Sequence, residues 1–279
     1  MTTETYCTYY VHSAWNPRLE TPAAIGAKYL ATLDALSAVD PIFKHWILAD
    51  YPNPNTGDPD VDGWNINAIP IASARPRIAE IIENYVRRDD FNEPCPSDGY
   101  HAMATTREIG GPRVANVILN TGGERHGDVT LQFGEDPAPD LTIVTYPLYK
   151  AVLLAINAVW HAPWACAQAY RSGTISVPGV EIVPGLIATK IVSVERVPLD
   201  PTFPYSVFHI PWIAYLSAEY AAGVALPCDI LTERTPDGGL LMSATTARLD
   251  PDNPEHVRRA RIIAETMIAR AGSDGRRTI

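Results

Sequence analysis

The stretch of this sequence closest to catalytic machinery is Gly122-Gly123-Glu124-Arg125-His126-Gly127-Asp128. Buried together, Glu124 and His126 would form a general base and the carboxylate that orients it. The same residues suit a solvated hairpin loop, in which glycine supplies positive φ and the charges face water. No second motif converges on the stretch, so the loop reading is preferred. Asp58, Asp60 and Asp62 alternate through a Pro/Gly-rich segment in a pattern that superficially suggests a calcium loop. The glycine of the sharp turn and the distal bidentate glutamate are missing, so no metal is expected there. The histidines, at 12, 45, 101, 126, 161, 209 and 256, never fall four apart on a helix, where two imidazoles would share a metal. Cys7, Cys95, Cys166 and Cys228 form no CxxC pair and read as free thiols, with Cys166 buried between two alanines. GxSxG, P-loop, GxGxxG and HExxH motifs are all absent from the chain. These residues predict no catalytic group, no cofactor and no metal.

The elements that must position such residues follow from periodicity and caps. Tyr6 to Val11, aromatic and β-branched, predicts a strand broken by Asn16-Pro17. Thr21 as cap and Pro22 at the first helical position open a helix with Ile25, Tyr29, Leu33, Leu36 and Val39 on its core stripe, ended by Asp40-Pro41. Ala49 to Pro70 is Pro/Gly-rich and predicts an irregular segment. A second helix is expected from Pro76 to Arg88, with Ile78, Ile81, Ile82 and Tyr85 inward and Arg87 and Arg88 complementing its dipole. Val114–Leu119 and Val129–Phe133 predict a hairpin, and Pro147 to Val159 an almost wholly apolar, buried helix. Ser172 to Pro204 is Gly-, Pro- and Val-rich and reads either as a linker between halves or as a run of short edge strands, with Ile191 to Val197 as one real strand. Pro236-Asp237-Gly238-Gly239 between two apolar runs predicts a hairpin, and Asn253-Pro254 starts a last helix reaching about Arg270. Helices and strands that do not alternate regularly predict an α+β fold, a largely antiparallel sheet with flanking helices. The chain is expected to form either a single α+β domain or two lobes, about 1–170 and 205–279, joined by the Gly/Pro-rich segment.

Charge gives a direction. The 279 residues carry 32 acidic and 22 basic side chains, a net of −10. Residues 1–150 hold 20 acidic against 11 basic, a net of −9, leaving −1 for the rest. An ordinary acidic surface and an acidic face for a basic partner both fit this. Nucleic acid does not, because phosphate neutralisation needs clustered Lys and Arg. No apolar run is long enough to span a bilayer and the first residues do not resemble a secretory leader, so a cytoplasmic protein without a membrane partner is expected. Of the six tryptophans, core packing is the default; Trp64, among the acids Asp58, Asp60 and Asp62, is the best interface anchor.

Tyr9-Tyr10-Val11, Trp15, Arg18 and Glu20, then Leu36-Ser37-Ala38-Val39-Asp40-Pro41 and Trp46, resemble the start of the immunity protein 52 family. Trp160-His161-Ala162-Pro163-Trp164 resembles that family's later tryptophan segment. Trp212-Ile213-Ala214-Tyr215-Leu216-Ser217, Glu233 to Gly239 and Asp250-Pro251-Asp252-Asn253-Pro254 are similar to its C-terminal part. The short matches span most of the chain; Tyr100-His101-Ala102-Met103 departs from the tryptophan-containing strand of the pattern. The resemblance implies a non-catalytic immunity protein of bacterial polymorphic toxin systems. Such a protein binds and neutralises a cognate toxin, here a nuclease of restriction-endonuclease fold. Asp58, Asp60, Asp62 and Trp64 are then the toxin-interface candidates. Two alternatives remain open at this level: a small-molecule hydrolase using Glu124 and His126, and a structural component of a secretion or phage assembly.

Overall fold

The computed structural model describes residues 6–50, 67–89, 91–106, 115–124, 127–133, 141–172, 210–250 and 252–271. Ten strands run through them: β1 (Tyr6–Trp15), β2 (Trp46–Asp50), β3 (Asn67–Pro70), β4 (Tyr100–Thr106), β5 (Ala115–Thr121), β6 (Gly127–Phe133), β7 (Trp164–Ser172), β8 (Ile210–Leu216), β9 (Leu231–Arg234) and β10 (Leu240–Ser243). The helices are α1 (Pro22–Val39), α2 (Ile71–Ala74), α3 (Ile78–Asn84), α4 (Tyr146–Trp160), α5 (Ala218–Ala221) and α6 (Pro254–Ala271). The pairings β3–β2, β2–β4, β4–β5, β5–β6, β7–β8, β8–β10 and β10–β9 are all antiparallel. The fold is α+β with a largely antiparallel sheet and flanking helices, as the sequence predicts.

The chain divides into two compact units, one of residues 1–13, 136–153 and 162–279, the other of 14–135 and 154–161. The second unit is built on the order β3-β2-β4-β5-β6. Its α1 starts as its caps dictate: the Thr21 hydroxyl accepts from the Ala24 amide at 3.3 Å, and Pro22 occupies the first turn. Ile25, Tyr29, Leu33 and Leu36 are buried, and the Tyr29 hydroxyl reaches the Val117 carbonyl of β5 at 3.2 Å. Trp15, at the end of β1, stacks on Trp160, the last residue of α4, with ring centroids 4.5 Å apart and planes 4° from parallel. Both indole N–H groups are used, Trp160 donating to the Thr32 hydroxyl at 2.8 Å and Trp15 to the Thr121 hydroxyl at 3.3 Å. Arg18 lies 4.8 Å from the centroid of the Trp15 ring and donates to the Trp160 carbonyl at 2.9 Å. Lys28, ion-paired with Glu20, lies over the other tryptophan, 5.5 Å from its ring centroid. Cation–π attraction and charge pairing thus close the knot. Trp15, Arg18, Glu20 and Trp160, four residues that carry the family resemblance, share this one cluster.

The first unit is built on β1-β7-β8-β10-β9. Trp212 is fully buried, its N–H donating to the Thr245 carbonyl at 2.9 Å, with Tyr9 and Tyr149 rings 6.1 and 5.3 Å away. The expected hairpin between β9 and β10 turns at Gly238, φ +83°, where a side chain would be strained. Asp237 holds the turn by accepting from the Tyr215 hydroxyl at 2.6 Å, and from Thr235. Asn253 caps α6, accepting from the Glu255 amide at 3.0 Å. No described helix is long and apolar enough to cross a membrane.

Several expectations need correction. The helix expected from Pro76 to Arg88 spans α3 only, ending at Asn84. Beyond it the Arg87 amide bonds the Gly99 carbonyl at 2.8 Å and the His101 amide bonds that of Tyr85 at 3.0 Å. Those sheet-like bonds draw Arg87 and Arg88 out of the helix, so neither complements its dipole. The segment Ala49 to Pro70 is not irregular at its ends, since β2 extends to Asp50 and β3 occupies Asn67–Pro70. Pro70 is tolerated because β3 lies at the end of the strand order, where no ladder donor is needed on one side. The β1 strand runs four residues past Val11, to Trp15. The expected strand Ile191–Val197 lies outside the described residues.

Two substitutions probe this framework. A Cβ on Gly127 would collide with the Trp15 indole nitrogen and stand 2.9 Å from the Thr121 hydroxyl. Gly127→Ala should therefore cost about 1–3 kcal/mol in denaturant titration. His161 caps α4 at φ +50°, its amide bonding the Asn157 carbonyl at 2.8 Å. His161→Gly should raise stability by about 0.5 kcal/mol, since glycine accepts this left-handed conformation without strain.

Candidate functional site

Three adjacent strands of the second unit bring one polar side chain each to the same level. His101 of β4 is the register partner of Asn120 of β5, which is the partner of Asp128 of β6. Burial alternates residue by residue along β4 and β6, and His101, Asn120 and Asp128 all fall on the half-buried face. Arg87 reaches the same row from the extended chain after α3. Its guanidinium donates to Asn120 Oδ1 at 2.7 Å, while Asn120 Nδ2 lies 3.1 and 3.3 Å from the two Asp128 oxygens.

The proton arrangement follows from the partners. A guanidinium can only donate and a carboxylate only accept, so Asn120 must turn its oxygen to Arg87 and its NH₂ to Asp128. His101 Nδ1, 2.9 Å from that same oxygen, must then carry hydrogen and donate. Neutral His101 is the Nδ1–H tautomer, with Nε2 as its acceptor. Burial raises the Asp128 carboxyl above its ordinary value of 3.8; the Asn120 bond and the charges of Arg87 and His101 partly offset this. Because Asn120 stands between His101 and Asp128, the row is not a base held by its orienting acid. It is an internally hydrogen-bonded row of donors and acceptors across three strands.

Further along the same face, Thr105 and Asn116 are register partners. Asn116 is 7% exposed, and its Oδ1 and the Thr105 Oγ1 are buried without a hydrogen-bond partner. Such atoms cost stability until something supplies a donor.

Of the residues singled out from sequence, Asp58, Asp60, Asp62, Trp64 and His126 lie outside the described residues. Glu124 is exposed, and its amide donates to the Ser97 carbonyl at 2.7 Å. The catalytic-looking stretch contributes its last member, Asp128, to the polar row. Asn120 and His101 were not singled out, and the usable signal was the hairpin itself: pairing Asn120 with Asp128 follows from its register. Among the described residues no group of three or more His, Cys, Asp or Glu could hold a metal ion. Cys95, Cys166 and Cys228 are free, and burial pushes the Cys166 thiol up to about 12, which keeps it protonated and inert.

The Asp128 shift sets a pH dependence. Its folded-state value lies above the unfolded one, so the stability it allows is full below 3.8 and is lost as pH rises through the folded value. The isosteric Asp128→Asn variant escapes that loss. As pH rises above 3.8 the melting temperatures of the two proteins should diverge in favour of the variant; a difference that stays constant with pH would contradict the burial effect.

No protein family matches the sequence, and no curated protein does either. Among solved structures, the Pseudomonas aeruginosa T6SS protein PA0821 is similar in fold, with a TM-score of 0.51 and 12% identity. The likeness covers 96% of this chain and 73% of that one.

Proposed function

We propose that this chain is an immunity protein. It binds a toxin of a bacterial competition system in the cytoplasm and neutralises it by occupancy, with no reaction of its own. The observation that carries this reading is the likeness in fold, over nearly the whole chain, to a protein of a type VI secretion system. The clustering of Trp15, Arg18, Glu20 and Trp160 adds weight to the sequence resemblance, since these residues support one another in a single structural knot.

Electrostatics favours a basic partner. The unit of residues 14–135 and 154–161 carries 17 acidic against 10 basic side chains. A nuclease toxin must present basic surface to the phosphodiester backbone, and opposite fields speed its capture. The hydrolase alternative rests on Glu124, which is exposed, and on His126, which lies outside the described residues. A structural part in a secretion assembly is the second reading that the T6SS likeness favours. Rings or fibres formed by the purified chain would mark it.

Co-expression with the toxin encoded beside this gene should rescue growth, and the two proteins should copurify. Their association rate should fall by about tenfold or more from low to physiological salt. Unrelieved toxicity would overturn the immunity reading, and a salt-independent rate would overturn capture by charge.

A further inference from the structure

The registers of β4, β5 and β6 lay out their half-buried face as three rows. His101, Asn120 and Asp128 form the first, Met103, Ile118 and Thr130 the second, and Thr105, Asn116 and Gln132 the third. The alternate residues of these strands are buried on the other face, where the Tyr29 hydroxyl of α1 reaches the Val117 carbonyl. Of the nine side chains in the rows, only that of Asn116 is fully buried, at 7% exposure.

The third row differs in kind from the first. In the first, Arg87 and the three strand residues bond one another. In the third, Asn116 Oδ1 and Thr105 Oγ1 are buried and bond nothing. These two side chains leave adjacent strands at the same level, so their Cβ atoms stand about 5 Å apart. One donor group placed between them serves both.

The chemistry of that donor is constrained. An amide oxygen can only accept, and a hydroxyl can accept as well as donate. A group with two or more N–H bonds is therefore required, and guanidinium and ammonium both provide them, as charge-assisted bonds roughly twice as strong as neutral ones. The second row bears on the choice. Met103 and Ile118 lie two residues along the strands from Thr105 and Asn116, about 7 Å away. They offer apolar surface to the methylene stem of a long basic side chain. A carboxylate or phosphate would meet an acceptor at Asn116 and would be repelled by a unit with 17 acidic against 10 basic side chains.

We infer that Thr105 and Asn116 form the seat of a lysine or arginine side chain of the toxin, its stem lying over Met103 and Ile118. Desolvation of the two unpaired oxygens costs the free chain stability, and pairing in the complex recovers it.

This inference rests on the toxin-binding reading, and the test separates the two. Melting temperature and affinity for the toxin domain encoded beside the gene are measured on the full chain, on Thr105→Val and on Thr105→Ser. Thr105→Val keeps the shape and removes a hydroxyl that has no bond to lose. Its melting temperature should equal or exceed that of the unsubstituted chain, while its affinity falls about tenfold. Thr105→Ser, which keeps the hydroxyl, should bind within about threefold of the unsubstituted chain. Double-mutant cycles pair Thr105→Val with each toxin lysine or arginine changed to methionine, and one such pair should show coupling of at least about fivefold.

A lower melting temperature for Thr105→Val would mean that water or another group already satisfies the hydroxyl in the free chain, and overturns the seat. Unchanged affinity, or coupling only to a toxin residue that is neither lysine nor arginine, overturns it too and leaves the toxin-binding reading standing. Self-association of the chain that Thr105→Val abolishes would assign the seat to a second copy and overturn the toxin side chain as its occupant. Absence of any complex overturns both.

Discussion

The contact on which the second unit depends is the face-to-face stack of Trp15 on Trp160. It joins residues 145 positions apart in sequence, one from the end of a strand and one from the end of a helix. Burial of two indoles supplies a large apolar contribution, but it is tolerable only because each N–H finds a hydroxyl, Thr32 or Thr121. Arg18 then fixes the helix end by bonding the Trp160 carbonyl, a group that no later turn of helix can satisfy. The absence of a side chain at Gly127 leaves room for the Trp15 ring. Each of these residues is constrained by the others, so a change at one is felt at all.

The same logic of satisfied and unsatisfied polar atoms distinguishes the two ends of the β4–β6 face. At one end Arg87, His101, Asn120 and Asp128 complete each other's hydrogen bonding, which fixes the Asn120 orientation and the His101 tautomer. At the other, Thr105 and Asn116 bury polar atoms with nothing to bond. A partly satisfied polar surface is costly in isolation and becomes favourable when a partner completes it. In the first unit Trp212 donates to the Thr245 carbonyl and the neighbouring Tyr9 hydroxyl to that of Leu249, while the amide of the fully buried Gln168 has no hydrogen-bond partner.

Where local rules act alone, the sequence was read correctly. Thr21-Pro22 and Asn253-Pro254 start helices because capping needs only neighbours, and the two hairpins follow from glycine turns between apolar runs. Strands β7 and β8 carry no such local signal. Trp164 to Ala169 and Trp212 to Leu216 are buried on both faces, so they lack the alternation that marks a half-exposed strand. The helix after Pro76 was overestimated because its periodicity ran into Tyr85, whereas the backbone of Arg87 and His101 had better partners across space.

The sequence by itself determined the α+β class, the acidic balance, the caps and the apolar stripes, since each depends on residue type and on neighbours a few positions away. Only tertiary structure decided that Trp15, Arg18 and Trp160 meet, that Asp128 rather than Glu124 joins His101 through Asn120, and that Thr105 and Asn116 stand side by side with nothing to bond. Those are matters of strand order and register. Moving a strand by one residue exchanges its two faces and its hydrogen-bonding sides, and only the packing of the whole sheet selects among the possibilities.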